Sequence, residues 1–285
     1  MITLETRAYA KVNLTLDILE KRPDGYHELQ SVMQQISICD DIGIDLETGE
    51  DWRLECDRED IPTDSSNLAW KAVGLFYKRL GKDPGGVTIR ITKRIPAQAG
   101  LGGGSADAAA VLKALNDHEG NPFSQVELEA LGGKLGSDVP FCVRGGTVLC
   151  EGRGERMTTL QPMPDCFYCV AMPDFSMSTA AVYGAYDANP PKYRPDHPGM
   201  LAALEAGDLL KVAGHCGNAM EKVVAVEHPK IWEMRTVMED CGALGAAMTG
   251  SGSAVYGVFD AFDMAAMASM RLMEHGFTTF LARNV

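Results

Sequence analysis

Apolar and polar residues change their period several times along this chain, and each change marks an element. Val87, Ile89 and Ile91 alternate with Thr88, Arg90 and Thr92, which is the period of a half-buried strand. Upstream, DSSNLAWKAVGLFYKRLG (64–81) places Leu68, Ala69, Ala72, Val73, Leu75 and Phe76 on one side of a helix, with Asp64 or Ser65 as N-cap and Gly81 as the C-terminal stop. Residues 1–20 and 31–47 read as strands, the first long enough for two segments with a bend. AAAVLKALN predicts a helix entered at Gly104 or Ser105, and SQVELEALGGKLG predicts a short helix capped by Ser124, with Glu127 at capping-box spacing. In the second half, FYCVAMPDF reads as a strand and a helix begins near Ser178. A Pro-rich loop covers 189–200, helical stretches surround GNAMEKVVAVEHP, and IWEMRTVMEDCG follows. ALGAAMTGSGSAVYGVF reads as strand, glycine turn, strand, and FDMAAMASMRLMEHG as a last amphipathic helix. Helices set between paired strands predict an α+β sandwich rather than a doubly wound sheet. The turn-rich QPMPD at 161–165 gives an expected division into domains 1–160 and 161–285.

Length and composition narrow this picture. A chain of 285 residues is ample for two ordinary domains. Its net charge of −13 argues against a general nucleic-acid binder, which must neutralise many phosphates. Any anionic ligand then needs locally concentrated positive charge. Residues 1–16 contain Glu5, Arg7 and Lys11 without a sustained apolar core, and no apolar run approaches the roughly 18 residues of a membrane span. No membrane partner and a cytoplasmic location are therefore expected. Of eight cysteines only Cys166 and Cys169 have CxxC spacing, and they sit in an apolar run with no second ligand pair. Buried reduced thiols are expected there, in a reducing compartment.

The chemistry concentrates at PAQAGLGGGSAD, residues 96–107, behind the predicted strand and ahead of a predicted helix. Pro96 is expected to close the strand. Gly100, Gly102, Gly103 and Gly104 free the backbone and leave no Cβ in front of the amides. The helix start then offers N–H groups without intrahelical partners, a cradle for phosphate. It is not a Walker A loop, because Gly133-Lys134 is followed by Leu135. Nor is it a dinucleotide fingerprint, since Asp107 occupies the third-glycine position.

Pro96, Gly100-Leu101-Gly102-Gly103-Gly104 and Ser105-Ala106 resemble the signature of the galactokinase, homoserine kinase, mevalonate kinase and phosphomevalonate kinase superfamily. The GLGGGSADAA form and the opening AKVNLTLDILEKRPDGYHELQS are similar to one branch, the kinases acting on 4-diphosphocytidyl-2-C-methylerythritol. This resemblance covers nearly the whole chain and is weakest over 185–240. It implies a two-domain α+β kinase with nucleotide and substrate in the cleft between domains, ATP and Mg²⁺ as cofactors, and a small cytidine diphosphate conjugate as acceptor. Monomer and homodimer both stay open.

The resemblance also assigns residues. Pro96, Ala97, Gln98, Ala99, Gly100, Leu101, Gly102, Gly103, Gly104, Ser105 and Ala106 would carry the triphosphate, with Ser105 the hydroxyl placed for the β-phosphate or Mg²⁺. Asn67, Leu68 and Lys93 would meet the adenine, the alternatives being that Asn67 caps a helix and Lys93 is a solvated strand lysine. Asp138, in LGSDVPF before a proline-terminated turn, would be the general base, paired with Lys11. Lys11 and Asn13, two apart on a strand, point to one face, and Asn13 joins the substrate site. The Asp24-Gly25 turn would project Tyr26 and His27 onto the pyrimidine. Tyr183 would form its other wall, with Tyr186 the competing assignment. Thr249-Gly250-Ser251-Gly252-Ser253 matches the C-terminal glycine motif, expected to close over phosphates or substrate tail. Two rivals stay in view: a sister kinase for mevalonate or homoserine, and a non-catalytic nucleotide-binding regulator, against which intact Lys11 and Asp138 argue.

Overall fold

A computed structural model describes every residue except Met1, Asp24, Glu47, Thr48 and Glu50. The described strands are β1 (Ile2–Lys21), β2 (His27–Leu46), β3 (Trp52–Cys56), β4 (Val87–Thr92), β5 (Thr147–Gly152), β6 (Arg156–Thr159), β7 (Phe167–Met172), β8 (Gly217–Asn218), β9 (Gly245–Met248), β10 (Val255–Phe259) and β11 (Thr278–Arg283). The described helices are α1 (Leu68–Leu80), α2 (Gly103–His118), α3 (Gln125–Gly132), α4 (Val139–Arg144), α5 (Thr179–Ala188), α6 (His197–Glu205), α7 (Leu209–Gly214), α8 (Glu221–Glu227), α9 (Lys230–Asp240) and α10 (Phe262–Glu274). The expected α+β content is present. Among the described residues no helix is long and apolar enough to cross a membrane.

The chain forms two compact units, and they do not divide at residue 160. The first comprises Met1–Ala10, Ile38–Ala97 and Gly102–Arg144, and the second comprises Lys11–Ser37, Gln98–Leu101 and Gly145–Val285. The reason is strand length. β1 and β2 run for 20 residues each and contribute to both units, so a linear cut misplaces the segment that carries Lys11 and His27.

In the first unit, β4 pairs antiparallel with β2 from Asp41↔Thr92 to Leu46↔Val87 and parallel with β3. Its predicted alternation holds, with Val87, Ile89 and Ile91 buried and Arg90 and Thr92 exposed. The strand ends at Thr92, four residues before Pro96. Carboxylates take its next amides: Lys93 N donates to Asp57 Oδ1 at 2.9 Å, and Arg94 N and Ile95 N donate to Asp40 Oδ1 at 2.5 and 2.8 Å. α1 buries Ala69, Ala72, Val73, Phe76 and Tyr77, and stops at Gly81, whose φ of 74° is left-handed. Its N-cap is Asn67, not Asp64 or Ser65. Asp64 instead accepts from Ser66 N in the turn before the helix. The Ser124–Glu127 capping box opens α3 as expected.

In the second unit, residues Leu29–Gln34 of β2 pair antiparallel with β5, which pairs with β6, while Thr15 and Leu16 of β1 pair parallel with β8. A separate antiparallel sheet has the order β11-β7-β10-β9. Apolar residues of this sheet, including Cys169, Ala171, Met248, Val255 and Phe259, share a core with Met234 and Met238 of α9 and Leu272 of α10. Cys166, Cys169 and Cys216 are buried free thiols, and burial pushes their pKa values up to about 11, about 12 and about 12. They therefore stay protonated and behave as core residues.

Candidate active site

The glycine loop contributes to both units. In the first, Gly102 is the left-handed N-cap of α2 (φ 73°) and makes no side-chain cap. The helix begins at Gly103, one residue ahead of the expected start, because Gly102 already supplies the turn. Its first amides are thus left for an anion. An anion placed there would gain about 0.3–1 kcal/mol from the helix dipole. Gly104 is exposed and Ser105 half-buried. A Cβ on Gly104 would lie 3.8 Å from Leu68 Cδ1, and one on Gly136 would lie 3.8 Å from Ser105 Oγ. Leu68 and the Gly136-Ser137-Asp138 segment therefore approach the start of α2. Asp138 is half-buried immediately before α4 and accepts from Cys142 N through its carbonyl at 3.1 Å. Pro140 does not terminate a turn there. It occupies the first turn of α4, where a missing N–H is harmless.

Two residues assigned to adenine carry internal loads. Asn67 accepts from Ala69 N at 2.8 Å and donates Nδ2 to Pro62 O at 2.8 Å. The Lys93 side chain is only 3% exposed, and its Nζ lies 2.5 Å from Asp40 Oδ2 and 2.8 Å from Asp107 Oδ2. Gly103 sits directly over this ammonium, since an added Cβ would lie 3.2 Å from Nζ. Burial opposes the lysine's charge, but the two carboxylates outweigh it and hold its pKa above the usual value. Burial, with Asp40 adding to it, pushes Asp107 up to about 7 against the attraction of Lys93. One charged cluster thus ties the segment before the glycine loop to the helix after it.

In the second unit, Gly100 (φ 80°) packs against the other glycine turn. A Cβ there would fall 2.2 Å from Thr249 O, so only glycine fits. Lys11 is buried, its N–H donates to Leu101 O at 3.0 Å, and its Nζ donates to Asn13 Oδ1 at 2.6 Å. Lys11 and Asn13 do share a face, as the strand period requires. Asn13 is 1% exposed and central to this region. Its Oδ1 also receives Gly250 N at 2.9 Å and Thr249 Oγ1 at 3.2 Å, and its Nδ2 donates to Ser31 Oγ at 2.8 Å. Ala99 and Leu101 are buried, which leaves the backbone of this stretch as its polar surface.

The turn after β1 separates Tyr26 from His27. Asp24, half of the expected turn signal, lies outside the described residues, but Gly25 has φ 86° and Arg22 N donates to Tyr26 O at 2.7 Å. Tyr26 is 54% exposed, with the Arg153 guanidinium 4.7 Å from its ring centroid. His27 turns inward as the first residue of β2, and the Tyr183 ring stacks on it at 4.9 Å and 29°. Tyr186 instead packs in the core, with its hydroxyl 3.3 Å from Ile18 O.

Sequence reasoning missed Asp40 and Asp187. Neither stands in a motif, and both act on residues far away in the chain. Asp107 had one signal, its place where a dinucleotide loop needs glycine.

The N-terminal domain model of the GHMP kinases matches residues 67–146, and the GHMP kinase C-terminal model matches residues 200–270. The chain is 45% identical over 253 residues to the 4-diphosphocytidyl-2-C-methyl-D-erythritol kinase of Caldicellulosiruptor saccharolyticus, covering 89% of this chain and 87% of that one. It is 39% identical to the enzyme of that name from Clostridium botulinum over 282 residues, covering 99% and 100%. A crystal structure of a 4-(cytidine 5'-diphospho)-2C-methyl-D-erythritol kinase superposes with a TM-score of 0.83 at 33% identity, covering 99% of both chains.

Proposed function

The chain belongs to the 4-diphosphocytidyl-2-C-methyl-D-erythritol kinase family of the GHMP kinases, and from that premise we propose how its residues divide the work. It transfers the γ-phosphoryl group of ATP to the 2-hydroxyl of 4-diphosphocytidyl-2-C-methylerythritol, forming the 2-phosphate and ADP. The observation that carries this reading is the start of α2, where a left-handed Gly102 without a side-chain cap and an exposed Gly104 leave backbone donors for phosphate. A Cβ at Gly100 would break the loop's packing, so the glycines fit a nucleotide cradle.

Asp138 accepts the proton of the 2-hydroxyl as its oxygen attacks, a contribution worth about 10²–10⁴ in rate. Lys11 assists as an ammonium that offsets charge on the transferred oxygens. Ser105 Oγ is the hydroxyl that would reach a magnesium ion arriving with the nucleotide, and that ion would supply neutralisation of phosphate charge. Tyr26, His27 and Tyr183 bind the cytosine, base–aromatic stacking being worth about 1–3 kcal/mol. The eight free thiols support a reducing, cytoplasmic setting.

An ADP-release assay with the cytidyl alcohol, mevalonate and homoserine tests the acceptor. Turnover of the cytidyl alcohol alone is expected, and turnover of mevalonate instead would replace the assignment. Asp138→Ala should lower turnover by at least about 10² while ATP still binds. Unchanged turnover would remove Asp138 from the chemistry.

A further inference from the structure

α5 presents Tyr183 and Asp187 four residues apart, on one face of the helix. Both reach the same imidazole. Tyr183 stacks on His27, and Asp187 Oδ1 lies 2.6 Å from His27 Nε2. The other carboxylate oxygen, Oδ2, accepts from Lys21 Nζ at 2.6 Å. Asp187 thereby links the last residue of β1 to the first residue of β2, the two ends of the turn that carries Tyr26. The His27 side chain is 8% exposed, so its ring is held rather than swinging in solvent.

An ionised carboxylate can only accept hydrogen bonds. The hydrogen bonds from Lys21 and then His27 hold the Asp187 carboxyl below the usual carboxylate range, which keeps it in that form. Whatever the charge on the imidazole, its Nε2 must therefore carry a hydrogen. In the neutral ring the lone pair then belongs to Nδ1. Without Asp187, either tautomer would be open.

We propose that Asp187 is a positioning residue for base selectivity: by fixing hydrogen on His27 Nε2, it presents Nδ1 as an acceptor to the base of the substrate. An acceptor at that point matches the exocyclic amine of cytosine and opposes the carbonyl that uracil carries at the same ring position. The carboxylate acts through the histidine and does not touch the base. The inference rests on the reading of His27 as a base contact, and it adds the residue that decides which pyrimidine that contact accepts.

The test compares cytidine and uridine forms of the diphosphate substrate with the full-length enzyme. Asp187→Asn, nearly isosteric, should raise KM for the cytidine form and lower the cytidine-to-uridine ratio of kcat/KM by about tenfold, the scale of one hydrogen bond. The change in kcat should be smaller than that in KM. Nitrogen-15 shifts of His27 should show Nε2 protonated in the wild type and a mixture of tautomers in Asp187→Asn, which a purely structural role would not produce. Asp187→Glu should restore part of the selectivity. In a His27→Ala background, Asp187→Asn should add nothing. Wild-type selectivity in Asp187→Asn, with selectivity lost in His27→Ala, would overturn the inference while leaving His27 as the base contact. Unchanged selectivity in His27→Ala would bring down that reading, and the inference with it.

Discussion

The buried polar cluster around Lys93 and the one around Asn13 both stand where the sequence pointed to ligand contacts, yet they are built on opposite terms. In the first unit, one ammonium holds two carboxylates away from water: Lys93, Asp40 and Asp107 have side chains 3%, 0% and 4% exposed. In the second unit, a neutral amide gathers one ammonium, one backbone N–H and two hydroxyls. A charged cluster depends on every member, since removing one leaves the others buried and uncompensated. A neutral hub spreads its load, and each lost partner costs only a hydrogen bond. Both anchor a glycine segment, Gly103 above Lys93 and Gly250 on Asn13. The lesson is that conspicuous polar residues beside a glycine loop can serve to support it.

Three measurements would sharpen or break this contrast. The largest effect is expected from Lys93→Met, which strands two carboxylates and should cost about 3–5 kcal/mol in urea unfolding. A loss below that of Asn13→Ala would show that charge does not dominate the first cluster. Asn13→Ala should cost about 2–3 kcal/mol, because Gly250 N and Lys11 Nζ lose a buried acceptor. Its turnover should also fall, since the Lys11 ammonium loses its contact with Asn13 Oδ1. An Asn13→Ala protein as stable as the wild type would mean that water or a neighbouring group replaces the amide.

The third measurement concerns pH dependence. Asp107 has a folded value of about 7 against an ordinary 3.8, so between those values the folded chain holds a proton that the unfolded chain has released. The site's contribution is therefore most favourable at low pH and falls as pH rises from about 4 to about 7. Wild type should lose stability relative to Asp107→Asn across that window, measured by urea unfolding at a series of pH values. A flat difference would mean that Lys93 keeps the carboxylate ionised throughout.

Much of the fold was legible because it rests on near neighbours. The alternation of β4, the apolar side of α1, its stop at Gly81, the Ser124–Glu127 box and the start of α5 near Ser178 each involve residues a few positions apart. The cap of α1 stayed divided between Asp64 or Ser65 and Asn67, because several polar residues in DSSN compete within one turn. At the site, the glycine loop and the shared face of Lys11 and Asn13 could be read directly. The partners of Lys93 could not, because Asp40 lies 53 positions away. The grip of Asp187 on His27, across 160 positions, was equally hidden.

The sequence by itself determined the kinds of element, the positions that need left-handed backbone such as Gly100 and Gly102, and the family to which the loop belongs. These follow from steric and hydrogen-bonding preferences acting over a turn or a strand pair. Only the tertiary structure decided that Lys93 points into a buried carboxylate pair, that Asn13 binds the turn at Thr249 from 236 positions away, and that β1 and β2 each serve two units. A buried polar group must find a partner wherever the fold brings one, and no local spacing records where that will be.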